Sequence, residues 1–223
     1  MTERMDRVIN ILIESFIPLL KAGATFTVPL TLIAFTVGIA IAFFIAIVRV
    51  LKIRGLNGIV KTFVWIIRGT PLLVQLFIIF YGLPSIGVTL NSLISASIGF
   101  SMSVGAYASE IIRGSIESVS KGQWEASKAL GFKKIDTLRL IIIPQAIKVA
   151  IPPLSNSFIS LVKDTSLAAA ITVPEMFQIA QRITARTYEP LWLYTEAAFI
   201  YLMISTVLTV VQSRLEVKFS NYQ

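Results

Sequence analysis

The sequence predicts an all-α integral membrane protein of five spans, and three observations carry that reading. Hydrophobic residues make up 55% of the 223 residues and charged residues only 14%, well short of the roughly one quarter charged of ordinary soluble domains; mean hydropathy is +0.79. The stretches 22–48 and 69–109 hold no charged residue, and the second is long enough for two spans of about 20 residues with a turn between them. The apolar runs are continuous rather than alternating, so they read as helices and not as barrel strands of about ten residues.

Taken in order, residues 1–21 carry Glu3, Asp6 and Glu14 and no short apolar core ending in a small-residue cleavage site, so they do not read as a secretory signal. Val8, Ile9, Leu12, Phe16 and Leu19 fall near helical spacing and suggest an amphipathic helix at the membrane interface. Spans are expected at about 22–49, 59–82, 90–112, 139–162 and 191–213, with Gly82-Leu83-Pro84-Ser85-Ile86-Gly87 as the turn between the second and third. Residues 22–214 then form one domain, and 215–223 a short tail. Net charge is +8, but the basic residues are spread by loop and not gathered into one aromatic-studded patch, which argues against nucleic acid. Arg49, Lys52, Arg54, Lys61, Arg113, Lys121, Lys128, Lys133, Lys134, Arg139, Arg214 and Lys218 fall on one side; Arg4, Arg7, Lys21, Lys163, Arg182 and Arg186 on the other. The positive-inside rule places the richer side in the cytoplasm, with the amino terminus outside and the carboxyl terminus inside.

There is no His and no Cys, which removes Cys/His metal clusters, thiol nucleophiles and Ser-His-Asp triads. No G-x-x-x-x-G-K-[ST] occurs, so no P-loop nucleotide site is encoded. No catalytic residue, metal ligand or cofactor is expected.

Three segments carry the functional signal. Gly122 and Gly131 bracket a short helix, Gln123 to Leu130, whose Trp124, Ala126, Ala129 and Leu130 alternate with Glu125 and Lys128; it reads either as a plug for a partner's groove, with Trp124 as anchor, or as a solvated loop helix. In the second span, Arg68 lies about ten residues in, roughly 15 Å from the start of a straight helix. A cation near half depth is expected to face a cavity or ligand, unless it snorkels to the interface. Gly69-Thr70-Pro71 beside it permits a break whose free backbone groups would bind a polar cargo. In the fourth span, Pro152-Pro153 is expected to kink or break the helix, and Ser155, Asn156, Ser157, Asp164 and Thr165 supply polar groups that lipid would reject. Lys163 next to Asp164 reads equally as a surface pair. Glu110 and Arg113, three apart, read as a structural pair.

Glu125-Ala126, Gly131, Ile141 and Pro144 match in spacing the EAA loop of ABC importer permeases (E-A-A, three residues, G, nine residues, I-x-L-P), with Ser127 for the third Ala and Ile143 for the Leu. RGTPLLVQL (68–76) and PPLSNSFISLVKDTSLAA (152–169) are similar to polar amino-acid permeases, and together with VPEMFQIAQRITARTYEP (173–190) most like the L-cystine permeases. The resemblance implies the type I importer permease fold, with a coupling helix at about 120–131 in which Gln123, Trp124, Glu125, Ala126 and Gly131 engage separate ABC ATPase subunits. It implies an extracytoplasmic substrate-binding protein and a second permease chain, a homodimer being favoured. It makes Arg68, Thr70, Gln75, Asn156, Ser157, Asp164 and Thr165 candidates for contact with a polar amino acid, Asp164 for its ammonium and Arg68 or the Thr70 region for its carboxylate. Glutamine, histidine or arginine are alternative cargoes. An ATP-independent channel or secondary transporter, and a membrane scaffold, are the rivals from other classes, and neither explains the 125–144 spacing.

Overall fold

The computed structural model describes residues 2–220, with side chains from Glu3 to Arg214; the last residues of the expected tail lie outside the described residues. Among the described residues the chain is helical throughout, without strands. The helices are α1 (Thr2–Ala22), α2 (Val28–Leu51), α3 (Leu56–Gly69), α4 (Leu72–Phe77), α5 (Ser92–Ser118), α6 (Lys121–Ala129), α7 (Lys134–Thr137), α8 (Ile143–Asp164), α9 (Met176–Thr187) and α10 (Pro190–Ser220).

The first expected span is α2, but the N-terminal helix does not stop before it. A π-helical turn, Gly23–Thr27, joins α1 to α2, giving one helix over Glu3–Leu51, 49 residues or about 74 Å at 1.5 Å per residue. That is more than twice the roughly 30 Å of a hydrocarbon core. Val8, Ser15 and Leu19 are buried against α9 and α10, whereas Ile9, which the spacing grouped with them, faces outward with Ile13 and Ile17. The helix therefore carries two apolar stripes.

α2 and α5 form the centre of the molecule. On α2 the small residues Ala34, Gly38, Ala42 and Ala46 recur every fourth position, and on α5 Ser101, Gly105 and Ser109 do the same. Fourfold spacing puts each set on one helix face, and small side chains let the two backbones approach closely. This is how helices associate where lipid removes the hydrophobic drive between them. A Cβ on Gly38 would sit 2.5 Å from Val104 Cβ, and one on Gly105 2.6 Å from Ile41 Cγ2. Phe100, Leu76, Ile142 and Ile171 extend this contact into the main core.

Among the described residues, three helices are long and apolar enough to cross a membrane alone, Glu3–Leu51, Lys134–Ile171 and Pro190–Arg214; Leu56–Gly69 and Leu72–Ile86 qualify together but meet at a 106° bend. The third expected span, α5, has the length at 27 residues, but its serines and glycines lower its hydropathy. It tolerates them because its buried positions face protein rather than lipid. The expected turn at 82–87 is a short 3-10 helix, Leu83–Ile86, closed by Gly87 at φ 84°, a left-handed conformation that glycine adopts without strain. Asn91 caps α5, its Oδ1 accepting the Ile94 N–H at 2.8 Å.

The expected break at Pro152-Pro153 does not occur: α8 runs unbroken through both prolines to Asp164 and continues as a 3-10 helix, Thr165–Ile171. The missing donors leave carbonyls one turn upstream without ending the helix. Beyond it, Glu175 is fully buried, capping α9 through the Gln178 N–H at 2.7 Å and accepting the Tyr201 hydroxyl at 2.6 Å. Burial pushes its carboxyl up from the ordinary range, against those hydrogen bonds, which favour the charged form.

Candidate functional site

α3 and α4 place the first wall of the site. Thr70 and Pro71 take extended conformations between them (φ −120°, ψ 146° and φ −63°, ψ 134°), and the 106° bend turns α3 away from the line of α4. Arg68 consequently does not sit half-way along a straight span. It lies in the last turn of α3, near Glu110 and through it beside Arg49 in the last turn of α2.

Several of the carbonyls at the break are already bound. Thr70 Oγ1 donates to Ile66 O at 2.8 Å, and Gln75 Nε2 is shared among Ile67 O (2.8 Å), Thr70 Oγ1 (2.8 Å) and Thr70 O (3.1 Å). Gln75 is buried and its bonds to Thr70, itself exposed, staple the bend. Of the backbone groups expected to be free at 69–71, the Thr70 and Pro71 carbonyls are thus engaged.

Four of the sequence-predicted residues do converge. Arg68, Asn156, Ser157 and Asp164 line one cavity of about 580 Å³ between α3, α5 and α8, together with Ser103, Tyr107, Glu110 and Ser160. Thr165 does not join them: it is fully buried and its hydroxyl donates to Val162 O at 2.7 Å. A second cavity of about 360 Å³, between α2, α8 and α10, is walled by Phe35, Ile39, Leu154, Phe158 and other apolar side chains and offers a charged molecule little.

The charges in the polar cavity are unevenly satisfied. Glu110 Oε1 accepts from Arg49 Nη1, and its Oε2 accepts from Arg113 Nε at 3.1 Å and Nη2 at 2.8 Å; Arg113 reaches on to Glu117. The expected Glu110–Arg113 pair is thus one arm of a node joining α2 to α5. Arg68 stands at its edge, 3.9 Å from Glu110 Oε1 and 5.2 Å above the Tyr107 ring. That leaves most of its five donors uncommitted. Among the described residues Asp164 makes no salt bridge, not even with Lys163. Asn156 Oδ1 accepts from Gln212 Nε2 at 3.0 Å, which orients its amide. A loosely held guanidinium and a carboxylate without a salt bridge in one cavity suit a ligand carrying both opposite charges.

The node itself gives a stability prediction. Glu110→Gln leaves Arg49 beside Arg113 without its counter-ion, in side chains 17% and 27% exposed, while Arg113 keeps only Glu117. About 3 kcal/mol of stability is expected to be lost, as for other broken buried pairs. The thermal midpoint of the purified complex reads this; adding Arg49→Gln should restore part of the loss, and a single variant as stable as the parent would refute the node.

Tyr107, Ser103 and Ser160 were missed, although the pattern was available: 103, 107 and 110 recur at helical spacing on α5, and 153, 157, 160 and 164 on α8.

The segment 121–129 forms α6 as expected. Ser120 Oγ accepts the Gly122 N–H at 3.2 Å, and Gly131 follows at φ 81°. Its orientation corrects one detail. Trp124 packs back on the main core and is not a free anchor, and Ser127 is buried with its hydroxyl on Gln123 O at 2.6 Å. Gln123, Glu125, Ala126 and Lys128 face outward, as do Leu130 at 76% and Ile135 at 62% exposure.

A bent second span, a small-residue α2–α5 seam, a polar cavity and an outward amphiphilic helix at one end define a transport permease. The chain belongs to the family of inner membrane components of binding-protein-dependent transport systems, matched over residues 34–221. Among curated proteins it is 52% identical over 210 residues to the L-cystine transport system permease protein TcyB of Bacillus subtilis (94% of this chain, 90% of that one). It is 41% identical over 210 residues to the probable amino-acid ABC transporter permease protein YckA of the same organism (94% and 92%). A crystal structure of an amino acid ABC transporter with histidines superposes at TM-score 0.82, with 31% identity over 96% of this chain and 97% of that one. The MetNI methionine ABC transporter shares the fold at TM-score 0.76 and 18% identity, over 90% and 96%. The protein is therefore a multi-pass inner-membrane permease subunit of an amino-acid ABC importer with the type I importer permease fold. It is not an enzyme; a separate ATPase subunit hydrolyses ATP, and a binding protein and a second permease complete the transporter.

Proposed function

We propose that two copies of this chain enclose the path by which the importer carries L-cystine into the cytoplasm. The observation that carries the reading is the cavity holding Arg68 and Asp164 without strong partners, in a chain whose 52% identical relative is an L-cystine permease. Arg68 receives the substrate carboxylate, Asp164 its ammonium group, and Asn156 and Ser157 its polar edges. Thr70, Gln75 and Thr165 act indirectly, by holding the bend and the end of α8. One chain is a poor enclosure for a hydrophilic path, which supports the homodimer.

The amino terminus is outside and the carboxyl terminus cytoplasmic, with 22–214 forming the transmembrane domain and 215–223 the cytoplasmic tail; residues 1–21, expected to lie flat at the interface, instead continue the first span and pack on α9 and α10. On this reading α6 faces the ATPase through Gln123, Glu125 and Ala126, with Gly131 ending the helix and Trp124 seating it on the core. Val119 and Ser120 alone separate α5 from α6. A displacement of α6 on ATP binding is thus passed to the Tyr107 and Glu110 wall of the cavity, in the manner of rigid-body switching between two access states.

ATP-dependent uptake of labelled cystine into vesicles holding the permease, its ATPase and its binding protein tests this. Uptake should resist excess arginine, glutamine and histidine, and should fail in Glu125→Lys. Uptake of another amino acid instead would discard cystine and keep the permease; an unimpaired Glu125→Lys would discard the coupling role.

A further inference from the structure

On the other side of Arg68 from the polar cavity lies a second polar cleft of about 440 Å³ between α2, α3 and α5, lined by Arg49, Lys61, Val64, Trp65, Arg68, Gly69 and Glu110. It holds three cations against one carboxylate, and both oxygens of that carboxylate are taken by Arg49 and Arg113. Lys61 is exposed and makes no hydrogen bond or ion pair among the described residues. Arg68 commits only one contact, at 3.9 Å, to that carboxylate. Positive charge in excess, an unpaired lysine and a loosely held guanidinium together call for an anion.

The surroundings say which one. α3 turns 106° away from α4; Trp65, 75% exposed, lines the cleft, and Ile59 at 68% and Ile66 at 47% exposure lie on the outer face of the same helix. Its opposite face, Val60, Val64 and Ile67, is buried on Ile45, Val48 and Ala106. A helix with one face on protein, an exposed apolar face and a tryptophan at the mouth of a basic cleft suits the headgroup level of a bilayer. Basic pockets between membrane helices bind anionic headgroups by charge-assisted hydrogen bonds. We propose that the α2–α3–α5 cleft binds the phosphate of an anionic phospholipid, with Lys61 and Arg49 on the phosphate and Trp65 along the acyl chains. Arg68 then borders both the lipid and the polar cavity, so a bound phosphate holds the bend from behind.

The site follows from the membrane setting and not from the cargo, and its test reads lipid directly. The permease–ATPase complex, stripped of lipid in detergent, is offered phosphatidylglycerol and phosphatidylcholine of matched chains, and retained lipid is counted by native mass spectrometry. Phosphatidylglycerol should be retained preferentially. Lys61→Glu should lower its retention roughly thirtyfold, as expected for a change of two charge units at a membrane surface, and Trp65→Ala should lower it severalfold. Arg182→Glu, on α9, should change nothing. Equal retention of the two lipids, or retention unaffected by Lys61→Glu and Trp65→Ala, would overturn the site. Full displacement by millimolar inorganic phosphate would overturn the lipid and leave a free-anion site.

Discussion

Asp164→Asn and Arg68→Ala are each expected to lower the efficiency of ATP-dependent uptake by about 10- to 100-fold, through a raised substrate requirement, while assembly with the ATPase persists. A hydrogen bond to a charged group contributes about 1.5–3 kcal/mol, and each 1.4 kcal/mol is a factor of ten in affinity. Neither residue holds the fold: Asp164 makes no salt bridge among the described residues, and Arg68 touches Glu110 only at 3.9 Å. Basal ATPase activity and thermal midpoint should therefore stay near those of the parent. Arg68→Lys should recover only part of the loss, because an ammonium keeps the charge but not the planar fork that meets a carboxylate at two points. Gln75→Ala should behave oppositely, lowering stability by freeing the Ile67 and Thr70 carbonyls, with any uptake defect following from that. Unchanged half-saturating substrate concentrations in both Asp164→Asn and Arg68→Ala would refute the two-ended site.

What the sequence revealed and what it concealed differ by the range of the interaction. Apolar runs, the turn closed by Gly87 and the short helix ending at Gly131 are local, and each lies where composition and turn chemistry place it. The break at Thr70-Pro71 was legible for the same reason, since proline and its predecessor restrict their own backbone. Its angle was not, and the angle is what moves Arg68 from mid-span to the edge of the Glu110 node. Proline chemistry also misled at 152–153, where tertiary packing keeps α8 helical through both residues. Arg49 and Glu110 are 61 positions apart, and no spacing rule links them. Trp124 looked outward because its neighbours are charged; only the fold shows the core reaching up to meet it.

Gly38→Val and Gly105→Val are expected to abolish assembly of the permease, and Gly38→Ala to cost about 2–3 kcal/mol, the upper range for overpacking a well-filled contact. An added Cβ at Gly38 meets Val104 Cβ at 2.5 Å and Ser101 O at 3.1 Å, and one at Gly105 meets Ile41 Cγ2 at 2.6 Å and Cβ at 3.0 Å. These atoms are fixed to helix backbones, so relief requires α2 and α5 to separate. Separation in lipid forfeits the van der Waals contact that holds small-residue seams, with no hydrophobic gain to offset it. The graded controls lie on α5 itself. At Gly99 the added group meets Leu76 Cδ2 at 2.6 Å, the free end of a flexible side chain that can turn aside, so Gly99→Ala should cost under about 1 kcal/mol, as tolerated core changes do. At Gly114 nothing lies within 4 Å, and Gly114→Ala should gain up to about 1 kcal/mol from reduced backbone freedom in the unfolded chain. Thermal midpoints of the three alanine variants should therefore rise in the order Gly38, Gly99, Gly114. A Gly38→Ala protein as stable as Gly114→Ala would mean that the α2–α5 seam is looser than its geometry requires, and that α5 can move against α2 when α6 is displaced rather than carrying the cavity wall with it as one body.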